Sequence, residues 1–292
     1  MHRLSKLNNA SQQKHTLNPI SDTAFFTCGA RAADARAVIP VCGDFYAERF
    51  LDKHGCRIFE GFKRQTEACA GIVARHRIID DLLRDLLVRD PATSVIVIGA
   101  GFDSRAFRLL GGDWTELDES SIIDLKNLRL PVAQCPNPLR RIAIDFAHQE
   151  LSACLPEPAP GTPSVVVMEG VFIYLSEARI TATLDALRRA FPGHALICDL
   201  NTRLFCTLYG ASIVRQIDTL GAHFRYLVDE PTQIFRLAGY QLETAVSIVG
   251  KTLEYANNLA MLFLANCCTN SLLHGYAVHV FHTPKIEGLC QS

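Results

Sequence analysis

Residues 94–105 read SVIVIGAGFDSR. Val95 to Ile98 form an unbroken β-branched run that stops at glycines. Such a run predicts a strand buried on both faces, as in a parallel sheet. Gly99 and Gly101 predict a tight turn whose backbone approaches a bound ligand closely. Working outward, RRIAIDF (140–146), SVVVMEG (164–170) and HALICDL (194–200) repeat the short apolar texture. A helix is predicted over 176–190 with Ser176 as its N-cap. Strands alternating with helices predict a parallel α/β sheet with right-handed crossovers.

The flanks differ in texture. Residues 1–21 read as a loose polar tail, and 22–90 as a helical region ended by Asp90-Pro91. A core of 94–200 follows, and then a mostly helical stretch, 201–239, suited to a lid or substrate pocket. Two late strands, 240–249 and 276–283, are predicted around a helix-like segment near 253–266. Together 22–292 read as one domain, without internal repeats or low-complexity segments.

The chain has 292 residues, 49% hydrophobic and 20% charged, with a net charge of -1. That balance suits a globular chain with a sizeable core and gives no reason to invoke nucleic acid or an anionic membrane. The 11 cysteines show no CxxC pair and no zinc spacing with histidine, so free thiols in a reducing cytoplasm are expected and no metal site is. The N-terminus lacks the apolar run of a signal peptide, and the stretch near 259–265 is too short to span a bilayer, which together predict a cytoplasmic protein.

Two kinds of cofactor suit a glycine turn after a buried strand. A pyrophosphate would meet the carboxylate of Asp103 at the mouth of the turn, and Ser104 stands where a dinucleotide fingerprint wants Gly or Ala. S-adenosylmethionine has no phosphate and carries a sulfonium and an ammonium, which acidic neighbours favour. Asp118 follows Gly99 by about twenty residues, the usual place for a ribose-binding acid. Asp118, Asp145 and Glu169 are all expected at strand ends along one sheet edge, where open α/β sheets bind their ligands.

Taken in order, TAFFTCGARA (23–32), ARHRIIDDLL (74–83), VIVIGAGFDSRAFRL (95–109), WTELDESSIIDLK (114–126), IAIDF (142–146) and MEGVFIYLSE (168–177) resemble the leucine carboxyl methyltransferase family. The likeness is to its branch acting in polyketide and other secondary-metabolite O-methylation. The resemblance implies a doubly wound, mostly parallel seven-stranded sheet of the class I S-adenosylmethionine-dependent methyltransferase type, with N-terminal helices and a helical cap. It implies that Arg75 binds the cofactor carboxylate, as a forked guanidinium suits. It further implies that Gly99 and Gly101 pass under the cofactor, Asp118 holds the ribose, Asp145 and Phe146 contact the adenine, and Glu169 lies near the ammonium. Arg31 is a looser match to an N-terminal cation. His76 and Ser104 stand where the family usually has Thr, and Asp44-Phe45 where it has Asp-Pro.

The expected reaction is methyl transfer to a carboxylate or hydroxyl of a small molecule. A carboxylate needs no base, whereas a hydroxyl gains from one. Tyr174, His223 and His148 are the candidates, each with a competing structural reading, so the catalytic group stays open. Phe205, Tyr209, Phe224 and Tyr226 are candidates for an acceptor pocket. The oligomeric state is also open. A protein C-terminal carboxylate is an alternative acceptor. Rivals of another class are an NAD(P)-dependent oxidoreductase, which the missing Tyr-x-x-x-Lys disfavours, and a non-enzymatic binding protein.

Overall fold

The run at 94–98 forms β1 (Ser94–Ile98), the middle of a seven-stranded sheet. The computed structural model describes residues 18–157, 161–257 and 273–284. The helices α1 (Pro19–Ala35), α2 (Lys53–Phe62) and α3 (Thr66–Arg89) precede β1. After it come α4 (Arg105–Arg108), β2 (Asp113–Asp118), α5 (Ser120–Arg129), β3 (Leu139–Ala143), β4 (Ser164–Met168) and α6 (Glu177–Ala190). Next are β5 (Ala195–Asn201), α7 (Arg203–Leu208), α8 (Ala211–Asp218), α9 (Gln233–Leu237), β6 (Gln241–Ser247), α10 (Ile248–Tyr255) and β7 (Tyr276–His282).

The order is β3-β2-β1-β4-β5-β7-β6. Strands β1 to β5 run parallel, and β7 is antiparallel to both β5 and β6. The order reverses between β1 and β4, which opens a crevice beyond their carboxyl ends. Val95, Val97, Val165 and Val167 pack with α1 and α3 on one face, and Ile96, Ile98, Val166 and Met168 with α6 on the other. Successive strand residues point to opposite faces, so burying both faces requires the continuous apolar run read in the sequence.

Local chemistry sets the element ends. Ser176 caps α6, accepting from the Arg179 amide at 3.4 Å. The Asn18 side chain caps α1, accepting from Ser21 at 2.8 Å, with Pro19 in the first turn. That helix therefore begins three residues ahead of the expected Asp22, because an N-cap followed by Pro starts a helix whatever the apolar pattern beyond it. The two late strands form as β6 and β7. The 201–239 stretch holds α7, α8 and α9, with the chain irregular from 219 to 232. Residues 1–17 of the expected tail, and 258–266 of the helix-like segment, lie outside the described residues. Among the described residues no helix is long and apolar enough to cross a membrane. The described cysteines are free thiols, and burial pushes Cys28 up to about 12.

Candidate cofactor and acceptor site

A cavity of about 990 Å³ opens at the β1–β4 reversal. This is the upper range for a small-molecule site. One end lies over the carboxyl ends of β1 to β4, and the other runs beneath α1, the start of α3, α7, α8 and α10.

The turn after β1 is shaped by its glycines. Gly99 and Gly101 have φ of 67° and 46°, a region that favours glycine. A Cβ on Gly99 would fall 2.5 Å from Val171 Cγ2. The Gly101 amide donates to Asp118 Oδ2 at 2.6 Å, and the Glu119 amide to Oδ1 at 2.7 Å. Asp118 thus sits at the end of β2 with its carboxylate fixed toward the cavity. At the mouth of the turn Asp103 already accepts from the Arg105 amide at 2.7 Å. Its own negative charge occupies the place a pyrophosphate would take.

Arg75 comes from α3 and crosses to the ends of β4 and β5. Its Nε donates to Glu169 at 2.9 Å, and its Nη1 to Asp199 at 2.9 Å and to the Tyr276 hydroxyl at 2.8 Å. Its Nη2 has no partner among the described residues. Gly170 makes room for it, since a Cβ there would stand 3.4 Å from the guanidinium. The other Glu169 oxygen meets Arg105 at 2.8 Å and His76 at 3.3 Å. Burial would raise the Glu169 carboxyl, but Arg105 and Arg75 outweigh it and hold the group well below the usual range. Behind this, Arg105 also meets Asp80 at 2.6 Å, and Arg108 meets Asp80 at 2.6 Å. Arg31 meets Asp44 at 3.0 Å and donates to the Phe102 carbonyl at 2.7 Å. Buried charges persist only when paired and hydrogen-bonded in this way.

Arg75, Gly99, Gly101, Asp118, Phe146, Glu169 and Tyr174 all line the cavity. Asp145 does not. Strand β3 stops at Ala143, where β2, its neighbour among the described residues, ends opposite at Asp118. The chain then turns, and Asp145 accepts from the Ala147 amide at 2.9 Å and pairs with His148 at 2.8 Å. Half exposed, its carboxylate is used up by its own loop, and Phe146 and Gln149 line the cavity beside it. His223 also falls outside the lining. It follows α8 in the irregular stretch, where it is 65% exposed and pairs with Asp218. Tyr174 stands 3.4 Å from the Thr23 hydroxyl, and burial raises its phenol, which suits a donor better than a base.

Asp199, Tyr276 and Asp44 were missed as site residues. Asp199 had a signal, since it is an acid interrupting the apolar run of β5 at the position next to Glu169 at the end of the neighbouring strand. The departures from the family pattern meet in one place: Asp44 accepts from the Ser104 hydroxyl at 2.5 Å, and His76 lies against Arg105 and Arg108.

The pH response follows from two buried carboxylates of opposite sense. Burial raises Asp118 to about 6 against the opposing pull of two backbone amides. Burial also acts on Asp44, but Arg31 and Arg108 outweigh it and hold it at about 2. A raised folded value means that Asp118 lowers stability as pH rises from about 4 to about 6, whereas the contribution of Asp44 is lost as pH falls from about 4 toward 2. An ionised Asp118 is the better acceptor for a ribose diol. Affinity for S-adenosylhomocysteine should therefore fall below about pH 6, and Asp118→Ala should cost about 2 kcal/mol of binding at pH 7. Calorimetric titration between pH 5 and 8 checks this, and an Asp118→Asn protein with the same pH profile as the wild type would remove Asp118 from the site.

Comparison with known proteins gives a consistent picture. A family model described as leucine carboxyl methyltransferase matches residues 24–188. The tetracenomycin polyketide synthesis O-methyltransferase TcmP of Streptomyces glaucescens is 28% identical over 221 residues, 75% of this chain and 78% of that protein. A Mycobacterium tuberculosis protein named for S-adenosyl-L-methionine-dependent methyl transfer is 32% identical over 190 residues, covering 58% of this chain. The chain spans 62% of that relative, less than two thirds of its length. A crystal structure of a DUF574 family protein from Streptomyces avermitilis superposes with a TM-score of 0.56 at 12% identity, over 82% of this chain and 95% of its own, a likeness of fold.

Proposed function

This chain belongs to the leucine carboxyl methyltransferase family, and on that premise we propose that it is an S-adenosylmethionine-dependent O-methyltransferase acting on a hydroxyl or carboxylate of a small, polyketide-like molecule. The observation that carries the reading is the joint placement of Asp118, the Gly99 turn and the free edge of Arg75 around one crevice. The cradle fits the methyl donor: a Cβ at Gly99 would fill it, and Asp103 opposes a pyrophosphate.

S-adenosylmethionine supplies an activated methyl group: the S–CH3 bond breaks as the acceptor oxygen forms its O–CH3 bond, and the bonding pair stays on sulfur. The protein's part is positioning and exclusion of water. Arg75 Nη2 takes the amino-acid carboxylate, and Arg31 lines the same cavity. Glu169 and Asp199 fix the plane of the Arg75 guanidinium. A carboxylate has about four acceptor sites, so Glu169 has capacity left for the ammonium. Asp118 accepts from the ribose hydroxyls, and Phe146 lies against the adenine. The similarity to TcmP supports an acceptor of the polyketide kind.

Calorimetric titration with S-adenosylhomocysteine, NAD and NADP tests this. A micromolar Kd for S-adenosylhomocysteine alone is expected, about −8 kcal/mol. Binding of a nicotinamide cofactor in its place would overturn the reading.

A further inference from the structure

A guanidinium carries five N–H donors, and the protein itself engages three of those on Arg75. The one on Nε meets Glu169 at 2.9 Å. The two on Nη1 are divided between Asp199 at 2.9 Å and the Tyr276 hydroxyl at 2.8 Å. The pair on Nη2 has no partner among the described residues, and Arg75 lines the cavity.

Tyr276 opens β7, opposite Asn201 in the antiparallel pair with β5. Asp199 precedes Asn201 by two residues and so shares its face of the sheet. The Tyr276 hydroxyl donates to Asp199 Oδ2 at 3.2 Å, the oxygen that also accepts from Arg75. A triangle closes: the hydroxyl accepts from the cation and donates to the carboxylate. The other Asp199 oxygen accepts from the Gly170 amide at 2.6 Å, which ties the carboxylate to the turn after β4. Burial raises the Tyr276 phenol above its usual range, so it keeps the proton that it donates.

The Tyr276 ring is held separately from its hydroxyl. It lies 5.7 Å from the Phe205 ring of α7, tilted by 39°, and both line the cavity. Removing the hydroxyl alone would leave that contact in place. Glu169 and Asp199 would then hold the guanidinium through one hydrogen each, and its plane could tilt about the line joining them. Such a tilt swings Nη2. A fork binds a carboxylate well only when it is fixed beforehand.

We propose that Tyr276 is a positioning residue for the methyl donor: its hydroxyl fixes the Arg75 guanidinium so that both Nη2 hydrogens meet the amino-acid carboxylate. The inference rests on the methyltransferase reading above. Tyr276 acts through Arg75, so its hydroxyl matters only to ligands that carry that carboxylate.

The test compares two ligands on the full chain by calorimetric titration, well below the melting temperature. S-adenosylhomocysteine carries the amino-acid end. 5′-Methylthioadenosine keeps the adenosine and the thioether but lacks that end. Tyr276→Phe is expected to weaken S-adenosylhomocysteine about fivefold and to leave 5′-methylthioadenosine within about twofold of wild type. A packing role alone would weaken both ligands alike, and that result overturns the proposal. Unchanged affinity of the variant for S-adenosylhomocysteine overturns it as well. So does a wild-type protein that binds the two ligands equally, since Arg75 would then read no carboxylate. Failure of the wild type to bind S-adenosylhomocysteine at all overturns the underlying reading.

Discussion

Replacing Arg105 with alanine is expected to lower the melting temperature by roughly 10 °C. Arg105 is fully buried and reaches Asp80 at 2.6 Å, Asp103 at 2.5 Å and Glu169 at 2.8 Å. Its removal strips the central cation from three carboxylates that water cannot reach well. Breaking a buried ion pair costs about 3–5 kcal/mol, because the partner is left charged and undersolvated. For a chain of this size each kcal/mol shifts the midpoint by about 2–4 °C. Solvation decides the size of the effect: Lys251, 37% exposed beside Glu254, should lose under about 1 kcal/mol when changed to alanine. Paired thermal scans check both. Equal shifts in the two variants would show that the buried cluster does not hold the fold.

The second large effect is on binding. Arg75→Ala should weaken S-adenosylhomocysteine about hundredfold, since a hydrogen bond to a charged group contributes about 1.5–3 kcal/mol and tenfold in Kd is about 1.4 kcal/mol. Two consequences combine. The cofactor carboxylate loses its forked donor, and Asp199, no longer neutralised, faces the cavity with negative charge while Glu169 keeps only Arg105 as its cation. Arg75→Lys should recover little of the loss, because an ammonium cannot reach Glu169, Asp199 and a ligand with the fixed fork of a guanidinium. Calorimetry well below the variant's melting temperature isolates binding from stability. A Kd within threefold of wild type would take Arg75 out of the cofactor site.

Much of the fold was legible because buried parallel strands leave a mark in the chain itself. Residues 95–98 and 165–168 pack on both sheet faces, so each is apolar without interruption. The late strands were legible too, as was the Ser176 cap. Asp118 and Glu169 could be placed because each directly ends such a run. Asp145 could not, since its run continues in sequence past the point where β2 stops offering partners. Strand length there is decided by the neighbour. Arg31 was only loosely placed, and Asp44 and Tyr276 were not seen as one site, because 13 residues separate the first two along the chain and 201 separate Arg75 from Tyr276.

The sequence by itself determined the α/β sheet, the glycine turn, the acid at the end of β2 and the family, all of which rest on contiguous residues. Only the tertiary structure decided that His223 faces solvent and that Asp145 is consumed by its own loop. It alone showed that Arg31 and Arg75 are tied to carboxylates on distant elements. Backbone patterning is local, set by side-chain period and turn geometry. Charge compensation is spatial: a buried ion takes its partner from whatever the fold brings within about 3 Å, and no spacing along the chain records that choice.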